Sequence, residues 1–251
     1  MANSSSDVRV EVIQHEDDIA HAFDAASNTF GRQTRDAIWM AMNPGWDTPE
    51  GRTKCVARMV TRWRDATRDR DGNLNTTFIK ATVPDPQDPT QRAVAGVAIW
   101  MQTSAVEGRG VPPPENLIKD MGIEELYPDD EAEQRFLAQV MGSLCKQRWE
   151  AARKAASTQS PAIMGLDMCV VNPAFQRRGV AGKLVEWGLK EVERRGGMEA
   201  VTEASSMGRS VYARLGFQQE GPEIVYQVDE EFAGRDTPSN IFMRTGTIGR
   251  G

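Results

Sequence analysis

The sequence predicts a mixed α/β fold, α+β in the order of its elements. Three observations predict it. Segments with a period of two alternate along the chain with segments of helical period. Hydrophobic residues make up 39% and charged residues 26% of 251 residues, the composition of a globular chain with a full core. No run approaches the ~18 apolar residues of a membrane span, and Met1 to Ser6 lacks the layout of a secretory signal. The expectation is therefore one cytoplasmic domain over 8–251, a disordered stretch over 1–7, and no membrane.

The elements follow in order. Val8, Val10 and Val12 alternate with Arg9 and Glu11 as in a half-buried strand. Asp17 and Asp18 suit a helix N-terminus, and Ile19, Ala22, Phe23 and Ala26 continue at helical spacing. Residues 31–52 break up around Asn43-Pro44-Gly45, with a short helical piece near Trp39. A second helix is expected from Thr53 to Arg68, carried by Val56, Met59, Val60 and Trp63. Strands follow at Thr76–Val83 and Ala93–Met101, the latter apolar enough to be buried on both faces. Over 103–160 a Gly/Pro-rich connector leads to a long helix from Pro128 to about Ala156, with Phe136, Val140, Leu144 and Cys145 as its stripe. This helical insertion lies between the third and fourth strands, and exposed apolar positions on it would suit pairing of two copies. Then come a strand at Ala162–Val171, a helix at Gly179–Arg195 stopped by Gly196-Gly197, a strand at Ala200–Ala204, a short helix at Gly208–Leu215, and strands at Gln218–Val228 and Ile241–Thr245.

Charge and rare residues exclude whole classes of function. With 30 basic and 36 acidic side chains the net charge is −6, the wrong sign for a nucleic-acid binder that works by neutralising phosphates. Three scattered cysteines and two histidines rule out a Cys/His zinc site and a disulfide framework, so no metal is expected.

The segment Val171-Asn172-Pro173-Ala174-Phe175-Gln176-Arg177-Arg178-Gly179-Val180-Ala181-Gly182 is the informative one. A buried strand ends at a proline, a loop carries two arginines, and a glycine opens a helix. The first turn of a helix leaves backbone N–H groups unpaired, and with the helix dipole these favour a phosphate. Gly179, Ala181 and Gly182 would admit a bulky pyrophosphate, and Arg177 or Arg178 would add charge-assisted hydrogen bonds. The same pattern also serves as a plain strand–loop–helix connection.

The stretch Gln176-Arg177-Arg178-Gly179-Val180-Ala181 resembles the acetyl-CoA signature of the GNAT superfamily of N-acetyltransferases, Q/R-x-x-G-x-G/A. Glu203-Ala204-Ser205-Ser206-Met207-Gly208-Arg209-Ser210-Val211-Tyr212, running on to Gly216-Phe217, looks like its second signature, and Phe242-Met243-Arg244 is similar to its last strand. The motifs cover about 160–245, and the general look is similar to uncharacterised fungal small-molecule members. The resemblance implies a central, mostly antiparallel twisted sheet of six to seven strands flanked by helices, splayed between its fourth and fifth strands. Ala181 stands where glycine is common and Ser205 where asparagine is, which implies a cofactor hydrogen bond at Ser205 that is weaker or absent. The 103–160 segment is longer than usual for the family.

Carried over by position, the N–H groups from Gln176 to Gly182 would hold the pyrophosphate of acetyl-CoA. The edge at Cys169, Val170 and Val171 would hold the pantetheine arm and polarise the thioester carbonyl. The amine would attack directly, in a ternary complex. Tyr212 would protonate the departing thiolate; a phenol near pKa ~10 and a thiol near ~8.5 are matched for it, though Tyr212 could equally be a packed core tyrosine. Asp167 is one candidate base, since alternation puts 167, 169 and 171 on one face; Glu203 is the other. Cys169, without a histidine nearby in sequence, reads as a packing residue rather than a nucleophile. Helices and loop over about 17–68 would wall the acceptor pocket, with Trp39 and Trp46 gripping an amine and Asp36 pairing with it, or else serving the core. The expected reaction is acetyl transfer to a small primary amine, by a monomer or homodimer. A protein lysine or N-terminal acceptor, and a CoA-binding sensor without turnover, are the alternatives.

Overall fold

In the computed structural model, which describes residues 7–246, seven strands form one open sheet in the order β1-β2-β3-β4-β5-β7-β6. They are β1 (Arg9–Val12), β2 (Thr76–Pro84), β3 (Arg92–Thr103), β4 (Ile163–Val171), β5 (Glu199–Ser205), β6 (Gln218–Glu223) and β7 (Asn240–Arg244). Every neighbouring pair is antiparallel except β4 and β5, which are joined by a helical crossover as parallel strands require. The sheet thus has the predicted class and strand content. Apart from Asp7, the 1–7 segment expected to be disordered lies outside the described residues.

The helices are α1 (Asp17–Ala26), running on as a π-helical turn over Ser27–Gln33, then α2 (Ala37–Met42), α3 (Pro49–Arg64), α4 (Leu117–Asp120), α5 (Ile123–Leu126), α6 (Glu131–Ala155), α7 (Val180–Arg194) and α8 (Arg209–Arg214). Helix α3 starts four residues earlier than its apolar stripe indicates. Thr48 caps it, accepting from Gly51 N–H at 3.1 Å, and Pro49 occupies the first turn, where a missing N–H costs nothing. The expected strand Gln218–Val228 stops at Glu223, just after Gly221-Pro222. Beyond it the chain leans on α6: Gln227 N–H donates to Ser143 Oγ and Asp229 N–H to Gln139 Oε1, both at 2.9 Å.

Two layers of helix cover the sheet. Val180, Leu184, Val185 and Val192 of α7 pack with Ile79, Ala98, Trp100, Met164, Leu166 and Ala200 on one face. At Gly188 the helix comes so close that a Cβ would meet the Trp100 ring at 2.0 Å. On the opposite face α1 and α3 cover Phe78, Val97, Ile99 and Val170, while Ala151 and Ala152 of α6 cover Ile163, Val201 and Phe242. The 103–160 insertion is anchored, not pendant. Phe136, Leu137 and Val140 of α6 pack with Ile38 of α2 and with Phe232, and Tyr127 O–H donates to Ala41 O at 2.8 Å. Its apolar stripe is therefore mostly taken up inside the chain rather than left for a second copy.

Two irregularities decide the site. Strands β4 and β5 pair only from Ile163–Glu199 to Gly165–Val201 and then part. And β4 carries a bulge: Ile99 pairs with Met168 but Trp100 with Leu166, so Asp167 is the extra residue. The bulge overturns the expected alternation. Cys169 and Val171 pack on the α7 side, whereas Asp167 bonds Arg62 of α3 and Arg148 of α6 on the other. No helix among the described residues is long and apolar enough to cross a membrane.

Candidate active site

Where β4 ends, the chain builds an anion cradle. Asn172 Oδ1 accepts from Ala174 N–H at 3.1 Å and closes a single 3₁₀ turn over Pro173–Phe175. Gln176 follows, and its amide Nε2 donates to Val171 O at 3.0 Å and to Gln33 Oε1 at 2.8 Å, which ties the loop to the π-helical turn after α1. Thr29 O–H donates to the same Val171 carbonyl at 3.1 Å. Arg177 (φ 61°) and Gly179 (φ 79°) both take left-handed conformations in the loop ahead of α7, and loops with such residues are where successive N–H groups commonly converge on an anion. Lys183 N–H is taken up by Gly179 O at 3.1 Å, but the N–H groups of the first turn before it have no acceptor inside the helix.

The residues expected here divide in role. Val180 is buried and holds the helix down with Ala181 packed partly against the same core, while Gly179 is exposed and Gly182 half-buried. A Cβ at Gly182 would meet no protein atom within 4 Å, so packing does not call for glycine there. Gln176 N–H is spent on Pro173 O, so Gln176 serves through its side chain, a correction to the expectation that its N–H binds phosphate. Arg178 folds back over the Phe175 ring, 5.5 Å from its centroid, and donates to Ala174 O at 3.3 Å. Arg177 is exposed. The cradle suits a pyrophosphate. Gly182→Val is expected to leave stability within about 0.5 kcal/mol while weakening acetyl-CoA binding at least tenfold, as calorimetry would report.

Past Gly165 the backbone ladder between β4 and β5 stops, although Thr202 O–H still reaches Leu166 O at 3.2 Å. Val170 turns its carbonyl toward Gly96 of β3, and alternation leaves the peptide groups of Cys169 facing the gap, where they suit an extended, amide-bearing chain. On the α7 side of that edge, the Tyr212 hydroxyl meets the Cys169 thiol, and its ring lies 5.9 Å from that of Phe217. Burial, then the thiol, hold the phenol well above its ordinary pKa, so it stays protonated. Burial pushes the Cys169 thiol up to about 12, which does not suit a nucleophile.

On the other side stand the two carboxylates. Burial would raise the pKa of Asp167, but Arg62 and Arg148, each at 2.7 Å, hold it well below the usual carboxylate range. Glu203 is buried more deeply and meets Arg148 alone, with Nε donating at 3.1 Å and Nη2 also donating; burial outweighs the arginine and leaves its pKa raised. Beyond Glu203, Ser205 is in register with Asn240, whose Nδ2 donates to the Tyr226 hydroxyl at 3.2 Å.

A family model of the acetyltransferase (GNAT) domain matches residues 124–227, the stretch that contains the cradle, the β4 edge, Glu203 and Tyr212. The chain carries a GNAT acetyltransferase domain. The domain so matched is of the acetyltransferase type. Among solved structures the chain is similar to arylalkylamine N-acetyltransferase 2 from Aedes aegypti (18% identity, 94% of this chain and 97% of that one, TM-score 0.56). It is also similar to the Drosophila melanogaster polyamine N-acetyltransferase that forms N-acetylagmatine (10%, 95% and 98%, TM-score 0.59). A third is the histone acetyltransferase HPA2 and related acetyltransferase from Corynebacterium glutamicum (15%, 95% and 96%, TM-score 0.52). At these identities the likeness is one of fold. No curated protein matches the sequence.

The two tryptophans expected to line an acceptor pocket are half-buried and belong to an aromatic cluster. Trp39 lies 5.8 Å from Phe23, 6.0 Å from Phe30 and 5.7 Å from Trp46. Asp36 caps α2, accepting from Trp39 N–H at 2.9 Å; burial raises its pKa against that bond. Sequence reasoning passed over Arg148, Tyr226 and Asn240. For Arg148 a signal existed: it sits four residues after Leu144 and three after Cys145, a charge at a position where the α6 stripe calls for an apolar residue.

Proposed function

We propose that the protein transfers the acetyl group of acetyl-CoA to a small primary amine by direct attack in a ternary complex. The observation that carries this reading is the placement of two proton-handling groups on opposite sides of the open β4 edge, beside an anion cradle. Acetyl-CoA, when bound, supplies the activated acetyl thioester. The N–H groups between Arg177 and Gly182 hold its pyrophosphate, with Arg177 adding charge. The peptide groups of Cys169, on the edge left open, hold its pantetheine arm. Tyr212 keeps a proton at its hydroxyl for the departing thiolate. Glu203 takes the proton of the amine, directly or through one water; its raised pKa brings it closer to the working range of a base than Asp167, which two arginines keep acidic. Asn240 Oδ1, a buried acceptor with no donor from the described residues, stands ready for an N–H of the acceptor. Similar folds named for arylalkylamine and polyamine acetylation support a small amine as the substrate class.

The test is thiol release from acetyl-CoA across arylalkylamines, polyamines, amino sugars, amino acids and lysine peptides. Turnover confined to one class of small amine is the expected result. Turnover on peptides alone would replace the acceptor assignment, and tight acetyl-CoA binding with no turnover on any amine would replace the enzyme with a sensor.

A further inference from the structure

The long insertion between β3 and β4 sends one cation into the splay. Arg148 of α6 is 3% exposed, and its guanidinium lies against Gly165, the last β4 residue paired with β5. A Cβ on Gly165 would stand 3.4 Å from Arg148 Cζ and Nη1, so a larger side chain would displace the guanidinium. Two residues further along each strand come Asp167 and Glu203. Nη1 donates to Asp167 Oδ1 at 2.7 Å, Nε to Glu203 Oε1 at 3.1 Å, and Nη2 to Glu203 Oε2. One planar fork thus joins the strands by side chains where their backbone pairing stops. A lysine ammonium has no such fixed plane of donors.

We propose that Arg148 is a positioning residue that holds the Glu203 carboxylate charged and oriented in the splay, and that supplying it is the catalytic purpose of the insertion helix. The inference rests on Glu203 as the base. The groups facing Glu203 are few. From α6 come Arg148 and Cys145, whose thiol burial keeps neutral. From β4 comes Asp167, balanced from α3 by Arg62. From the chain after β6 comes Tyr226, its phenol kept neutral by burial. Without Arg148, burial and the Asp167 charge would both oppose ionisation of Glu203.

The experiment is the pH profile of kcat with the best amine of the panel, for wild type, Arg148→Gln, Arg148→Lys and Glu203→Gln, each checked for folding. The profile of kcat is used because it reports groups in the ternary complex rather than the free amine. In Arg148→Gln the acid limb should move up by at least one pH unit, with activity returning at alkaline pH. Arg148→Lys, which keeps the charge but cannot serve both carboxylates, should move the limb by less than half a unit and lower kcat about tenfold at an unchanged KM for acetyl-CoA. A limb unmoved in Arg148→Gln, or a wild-type kcat in Arg148→Lys, overturns the proposal, and the lysine variant decides alone if the glutamine variant does not fold. Glu203→Gln separates the two readings. Wild-type activity there removes Glu203 as the base, whereas a large loss there beside an Arg148 limb that stays put removes only the role of Arg148.

Discussion

Replacing Tyr212 by phenylalanine is expected to lower kcat by about two orders of magnitude while the affinity for acetyl-CoA stays within about twofold; the drop is at the low end of what a positioned general acid contributes. The argument runs through the environment of one hydroxyl. Tyr212 is fixed by α8, packs on Phe217, and places its hydroxyl against Cys169 on the unpaired β4 edge. Its raised pKa keeps the proton on the phenol at neutral pH, and a thiolate forming beside it would become the strongest local acceptor. Phenylalanine preserves the ring packing and removes only the donor, so thermal stability should change little. Stopped-flow thiol release together with calorimetry separates the outcomes. A kcat within threefold of wild type would remove the proton-donor role, and a parallel loss of affinity would make Tyr212 a binding group.

The largest effect on stability is expected from the same arginine that orders the splay. Arg148→Met should destabilise the fold by about 3–5 kcal/mol, because it leaves two inward carboxylates without their shared cation. Arg62→Met, which removes the other partner of Asp167, should cost under about 1 kcal/mol, because the Arg62 side chain is 44% exposed and water takes its place. Denaturant midpoints of the two variants measure the difference, and equal losses would refute it. The pH dependence follows with a definite sign. Asp167 is depressed in the folded state, so its contribution is complete above the unfolded carboxylate value of about 3.9. It is lost as pH falls from there through the lower folded value. Asp167→Asn should therefore flatten the acid side of the stability curve, whereas an unchanged slope would mean that Asp167 is not ion-paired in solution.

How much of this was legible in the chain depends on the range of the interaction. The strands, the long helices and the phosphate cradle are local patterns: an apolar run closed by Asn172-Pro173, then Gly179 before an amphipathic helix. Each is written within about a dozen residues and sets its own backbone, so the sequence alone determined these elements and the loop that opens α7. The short helices α4 and α5, with no apolar stripe long enough to repeat, were not readable in this way. Face assignments failed wherever a tertiary contact changed the count. Period-two reasoning placed Asp167 beside Cys169, and a single extra residue in β4 moved it to the other face. That bulge is a property of pairing with β3, a strand more than sixty residues away, so nothing local to Asp167 announces it.

The same division holds for the candidate base and the acceptor wall. Trp39, Trp46 and Asp36 have the residue types of an amine pocket, and those types serve equally as an aromatic cluster and a helix cap; the contacts they make with Phe23, Phe30 and the start of α2 are not written in the residue types. Arg148 stood in the sequence as an irregular charge in an apolar stripe, without any sign of its partners. Only the folded chain brings α6, β4 and β5 together at Gly165, where backbone pairing ends and a guanidinium takes over. Local sequence determines which stretches are helix, strand and tight loop, because period, caps and turn residues act within a few positions. The splay, the bulge and the ionised pair inside it were decided by tertiary structure, because each depends on which distant strand or helix stands alongside.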